Sequence, residues 1–114
     1  MEKIVLRINN YWKGSRKKEL FKVELGGISK KTEIYNGLFS VRPQANISAI
    51  TKTNLIIIPS LVRDYQKSVK GNKTLIDWIE KQYKSGAEIA TMCTGAFMLA
   101  SSGLLDGKNC STHQ

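Results

Sequence analysis

Two hydrophobic rhythms divide the second half of this chain into short, recognisable units. NLIIIPS, residues 54–60, is a continuous apolar run closed by Pro59, the pattern of a strand buried on both faces of a parallel sheet. After a polar segment, NKTLIDWIEKQYKSG, residues 72–86, sets Leu75, Ile76, Ile79 and Tyr83 at helical spacing. This predicts a helix with those side chains inward, Asp77/Lys81 and Glu80/Lys84 paired on the outer face, and Gly86 as its stop. AEIATMC, residues 87–93, reads as a second buried strand, and TGAFMLASS, residues 94–102, as a helix ended by Gly103. KNCSTH, residues 108–113, reads as a last short strand. Strand and helix alternate, so the class is α/β with a mainly parallel sheet.

The first half is less regular. Ile4, Val5, Ile8 and Trp12 share one helical face between Glu2 and Trp12, and Gly14 with Ser15 ends the pattern. Phe21, Val23 and Leu25 alternate with charged residues, which predicts a strand over Leu20 to Leu25 before a double glycine. Asn36-Gly37 stands between two β-favouring runs, and both residues tolerate positive φ, so a hairpin is expected there, with Pro43 at its end. No internal repeat is visible. A doubly wound sheet normally opens with a strand before its first helix, so both ends look truncated.

Composition narrows the setting. The 114 residues suit a single domain, residues 1–114, with 41% hydrophobic and 24% charged residues, as in ordinary soluble globular proteins. The N-terminus lacks the ordered features of a secretory signal, and no window approaches the roughly 18 apolar residues of a membrane span. Cys93 and Cys110 have no metal-ligand spacing and are expected to be reduced, which places the protein in the cytoplasm and leads us to expect no membrane contact, metal or cofactor. The net charge is +9, and the stretch WKGSRKKELFK holds a basic cluster of Lys13, Arg16, Lys17, Lys18 and Lys22. Neither a groove-fitting helix nor stacking aromatics accompany this cluster, so it reads as a solvated loop and strand edge.

The candidate chemistry gathers at Cys93. In an open α/β sheet ligands bind beyond the carboxyl ends of the strands, and Cys93 falls at such an end, between the second predicted strand and the helix after it. A tight strand-to-helix elbow needs small neighbours two positions away, and Thr91 and Gly95 supply them, with Ala96 next. Two readings follow: an exposed cysteine of nucleophilic or oxidisable character, or an inert one packed as a small hydrophobe. His113, the single histidine, ends the next predicted strand and could reach the same rim as a base, or could stand there by chance.

The segment from Gly86 to His113, GAEIATMCTGAFMLASSGLLDGKNCSTH, resembles the nucleophile-elbow region of the ThiJ/PfpI superfamily. The similarity is greatest to the branch that forms the N-terminal domain of AraC-type transcriptional regulators. It rests on Cys93 through Phe97, Gly103 through Gly107, and Thr112-His113, and extends back through LIDWIEKQYKSG, TNLIIIPSL, IYNGLFSVRPQANI and NNYW. The resemblance implies a three-layer α/β/α sandwich of flavodoxin-like, class I glutamine amidotransferase-like type. In catalytic or redox-active members an acidic residue from the loop after the first strand faces the cysteine; its counterpart here would precede Met1. Many members also carry Gly-Gly after the central strand, where this chain has Ser60-Leu61.

What the resemblance implies for function is a ligand-sensing and dimerising domain of an AraC-family regulator, non-catalytic, with Ser60, Leu61, Thr94 and Gly95 at a ligand site beside Cys93 and His113. Such a domain would form a homodimer, take a small-molecule effector, and meet DNA only through a C-terminal domain absent from this chain. The alternative is a cysteine-dependent hydrolase, amidotransferase or glyoxalase-type enzyme. There Cys93 would attack a carbonyl, His113 would assist proton transfer, and the Leu61 and Thr94 amides would hold the oxyanion.

Overall fold

A computed structural model describes Gly14, residues 18–61 and residues 65–112. In chain order these form β1 (Gly26–Gly27), β2 (Thr32–Ile34), β3 (Phe39–Val41), β4 (Ala45–Asn46), a one-turn 3-10 helix (Ile47–Ala49) and β5 (Leu55–Ile58). Then follow α1 (Tyr65–Gly71), α2 (Lys73–Lys84), β6 (Glu88–Thr91) and α3 (Gly95–Ser101). The helix expected over Glu2 to Trp12 lies outside the described residues, as does His113.

β5 and β6 pair in parallel, with Leu55 opposite Glu88 and Ile58 opposite Thr91, and α1 and α2 lie between them in sequence. This is the crossover that parallel strands require. One face of the pair, carrying Ile56, Ile58 and Ile89, packs with Ile76 and Ile79 of α2, Met98 and Leu99 of α3, and Val69 of α1. The other face is open among the described residues: Leu55 is 50% and Ile57 39% exposed. The expectation of a strand buried on both faces is therefore corrected. A continuous apolar run records what both faces of a strand would tolerate, and the described helices cover only one of them.

α2 begins and ends where its sequence says it should, with one exchange on its inner face. Ile76 and Ile79 are buried, but Tyr83 is exposed, and Gln82 is buried in the place expected for it. The reason is polar. The Gln82 side chain accepts from the Thr53 N–H at 3.1 Å and donates to the Thr51 carbonyl at 3.1 Å, while the Trp78 indole donates to the Ile50 carbonyl at 3.1 Å. Two residues one turn apart thus stitch the segment that enters β5, residues 50–53, to the helix. Replacing Gln82 by Leu keeps the volume and abandons two buried backbone partners, so chemical denaturation should show a loss of about 2 kcal/mol. A loss below about 0.5 kcal/mol would mean that water serves those partners equally well.

Tyr83 instead accepts a hydrogen bond at 2.7 Å from Lys108, whose ammonium also lies 4.8 Å from the ring centroid. Of the expected surface pairs, Glu80/Lys84 forms at 2.6 Å, whereas Asp77 pairs with Lys73 at 2.7 Å and not with Lys81. The hydrogen bond and charge of Asp77 hold the Lys73 pKa above its ordinary value. The pair's contribution is thus in place at neutral pH and is lost in alkali as the pH rises through the raised Lys73 pKa. Behind α2, the Ala87 N–H bonds the Gln82 carbonyl and the Gly86 N–H the Tyr83 carbonyl, with Gly86 at φ +102°. This double closure needs a left-handed residue, which glycine supplies without steric cost.

The first half corrects one strand and keeps one hairpin. Residues 20–25 form no strand; pairing starts one step later, with Gly26–Gly27 parallel to Ala45–Asn46. Leu25 reaches Gln44 from both its N–H, which the side-chain oxygen accepts, and its carbonyl, which accepts the Gln44 N–H. A Cβ on Gly27 would stand 2.5 Å from the Pro43 ring, so the strand forms where no side chain blocks the approach. The hairpin of β2 and β3 is antiparallel with Glu33 opposite Ser40, and Asn36 and Gly37 at its tip have φ of +55° and +86°. The ladder closes at Ile34 opposite Phe39, so the connection is four residues long, with Tyr35 also at φ +54° and the Leu38 N–H bonded to the Tyr35 carbonyl at 3.1 Å around the Asn36-Gly37 centre. KNCSTH forms no strand over its described residues, 108–112. No helix among the described residues is long and apolar enough to cross a membrane.

Candidate functional site

β6 and α3 are separated by a turn so short that Cys93 takes a left-handed conformation, φ +49°. For a residue with a Cβ that position costs roughly 1–2 kcal/mol, and it persists because the surroundings fix it from both sides. On the strand side, the Met92 N–H bonds the Ile58 carbonyl at 2.9 Å, which continues the β5–β6 ladder to the edge of the turn. On the helix side, the Gly95, Ala96 and Phe97 N–H groups donate to the carbonyls of Met92, Cys93 and Thr94. The Thr112 hydroxyl adds a bond of 2.6 Å to the Cys93 carbonyl.

Gly95 is buried, and its importance lies in what it faces. A Cβ there would stand 2.6 Å from the Pro59 carbonyl oxygen and 2.7 Å from that of Ile58. The first turn of α3 therefore lies directly on the end of β5. The expectation that small residues flank the cysteine thus has a specific cause on the Gly95 side, while Thr91, at the end of β6, is half-buried.

Across from this turn runs the loop that leaves β5. The Leu61 N–H donates to the Thr94 hydroxyl at 2.9 Å, and that hydroxyl donates in turn to the Leu61 carbonyl at 3.2 Å. The Ser60 hydroxyl lies 3.5 Å from the Met92 carbonyl. The residues that the sequence singles out, Ser60, Leu61, Cys93, Thr94 and Gly95, are thus brought together at one end of the parallel pair. Among the described residues they form an open rim and not an enclosed pocket, since Ser60 and Cys93 are exposed, as are the neighbouring Met92 and Phe97. A wider groove, lined by Val69, Lys73, Glu80 and Ser101, lies along the helices and includes none of these residues.

Thr112 is the residue that sequence reasoning passed over. It precedes His113 in the chain and ties residues 108–112 to the cysteine turn with one hydroxyl, where a strand had been expected to do so through a ladder. The Thr-His pair is visible in the sequence, and its threonine is the member that the described residues tie to the turn. Both cysteines are exposed free thiols. Among the described residues no three or more His, Cys, Asp or Glu side chains cluster as a metal site would need.

Comparison with known proteins bears on the family and the fold. The model of the DJ-1/PfpI family matches residues 22–114. Among solved structures, a "putative transcriptional regulator protein" from Vibrio parahaemolyticus superimposes with a TM-score of 0.69 and 26% sequence identity, over 90% of this chain. The match covers 53% of the Vibrio chain, so the present sequence spans about half the length of that protein. No curated protein matches.

Proposed function

We propose that this chain, which belongs to the DJ-1/PfpI family and has its flavodoxin-like α/β fold, senses a small-molecule effector as part of an AraC-type transcriptional regulator. The observation that carries the non-catalytic side of this reading is the state of the Leu61 amide. Acyl transfer by a cysteine relies on N–H groups aimed at the developing oxyanion, and the Leu61 N–H is bonded to Thr94 within the chain. The regulator side draws support from the likeness to the Vibrio protein.

An effector at the rim of Ser60, Thr94, Gly95 and Cys93, beside the Thr112 hydroxyl bonded to the Cys93 carbonyl, would favour one arrangement of two copies over another. DNA binding by a domain outside this chain then follows by population shift. The shift is limited by the effector's differential affinity for the two arrangements, roughly 5- to 150-fold in known allosteric couplings.

Excess methylglyoxal, and separately excess 4-nitrophenyl acetate, tests the non-catalytic claim. The chain should be modified at most stoichiometrically and show no sustained turnover. Continued turnover that disappears in Cys93→Ser would replace this reading with a cysteine-dependent hydrolase, amidotransferase or glyoxalase-type enzyme.

A further inference from the structure

The alternation over Phe21 to Leu25 predicts a strand, yet the fold gives that segment no ladder. Phe21, Val23 and Leu25 are all exposed. Lys22 and Glu24 share one side, with the ammonium 3.0 Å from the carboxylate, as residues two apart do in an extended chain. In such a chain the N–H and C=O of one residue point to one edge, and those of the next residue to the other. Leu25 turns both of its groups to Gln44. The opposite edge therefore belongs to Lys22 and Glu24. Among the described residues no backbone hydrogen bond reaches the N–H or C=O of Lys22, Val23 or Glu24.

We infer that this edge pairs antiparallel with the same edge of a second copy, about a two-fold axis at Val23. Lys22 then stands opposite Glu24 of the second copy, and Glu24 opposite its Lys22, each as a pair that exchanges both N–H···O bonds. On the other face Phe21 meets Leu25 of the second copy, and the two Val23 side chains meet on the axis.

Charge selects this register. An axis at Lys22 or at Glu24 would set like charges face to face, and an axis between two residues would mix charged with apolar side chains on both faces. A parallel, in-register pair would set lysine beside lysine. Among these arrangements only the axis at Val23 opposes unlike charges and keeps one face apolar. The two copies that the sensing reading calls for would meet here, but the pairing itself needs neither effector nor DNA.

Sedimentation velocity on the chain, from about 1 to 300 μM at about 50 mM salt, reads the dimer constant with surface charges little screened. Lys22→Glu and Glu24→Lys each turn both attractive contacts into repulsive ones, and each should weaken the dimer about tenfold or more. An equimolar mixture of the two variants opposes glutamate to lysine again. It should dimerise to within about threefold of the unmodified chain, although both variants keep a net positive charge. Register is read by cysteine, with Cys93 and Cys110 changed to serine. Val23→Cys places two thiols across a pair about 4.5 Å apart at Cα, within disulfide reach, so oxidised glutathione should link the chains. Leu25→Cys, which lies opposite Phe21 of the second copy, should not link. A monomer throughout, a dimer that neither reversal weakens, a mixture that does not recover, or equal linking at the two positions overturns the proposal. Should a reversal unfold the chain, seen as lost far-ultraviolet circular dichroism, the cysteine comparison decides. Sustained turnover at Cys93 would bear on the sensing reading and leave this dimer as it is.

Discussion

Gly95→Ala should destabilise the protein by about 3 kcal/mol, at the upper end of what one added carbon costs a packed interior. The clash is with the carbonyl oxygens of Pro59 and Ile58, at 2.6 and 2.7 Å, and neither can rotate away as the end of a side chain could. Ordinary helix propensity acts in the opposite direction, since alanine is preferred to glycine in a helix by about 1 kcal/mol. The sign of the result therefore decides whether close approach or local preference governs this turn. Thermal unfolding should show a fall of roughly 10 °C or more. An unchanged or raised melting temperature would mean that α3 and β5 can separate slightly at no cost, and that the Cys93 turn is less tightly fixed than its contacts imply.

Ile79→Ala is the second large effect, expected at about 3–4 kcal/mol. Ile79 is 2% exposed and sits in the cluster formed with Ile58, Ile76, Met98 and Leu99, where the three helices meet the strands. Total stabilities of natural domains are about 5–15 kcal/mol, so this one truncation removes a large share. Leu55→Ala offers the contrast. It removes the same number of carbons from the exposed face of β5 and should cost less than about 1 kcal/mol by urea titration. Equal losses at the two positions would contradict the assignment of a single buried face.

The parts of the fold legible in the sequence were those decided within a few residues. The LIII run of β5, the helical spacing of Ile76 and Ile79, the Asn36-Gly37 tip and the Gly86 stop each express a local preference that packing reinforces. What escaped was decided by partners far along the chain. Tyr83 and Gln82 are neighbours on one helix, and only the Thr51–Thr53 segment determines that the amide and not the ring is buried. Alternation over Leu20 to Leu25 suggested a strand, but the pairing position was set by where Pro43 could approach a glycine. The apolar run of β5 could not say how many of its faces would be covered.

The site divides along the same line. Cys93 and the need for Gly95 followed from a strand, a tight turn and a helix in succession. The bonds that hold the turn did not, because Thr94 reaches 33 residues back and Thr112 reaches 19. Neither threonine differs, as a letter in the sequence, from the chain's other threonines.

The claim that the Cys93 turn reports a bound molecule to DNA is tested most directly on the full product of the gene. Its affinity for DNA from upstream of that gene would be measured by gel shift before and after iodoacetamide, with Cys93→Ser as the control for Cys110 and other sites. The account predicts specific binding whose affinity changes at least fivefold on alkylation, with no such change in Cys93→Ser. Absence of specific binding, or binding indifferent to the state of Cys93, would contradict it.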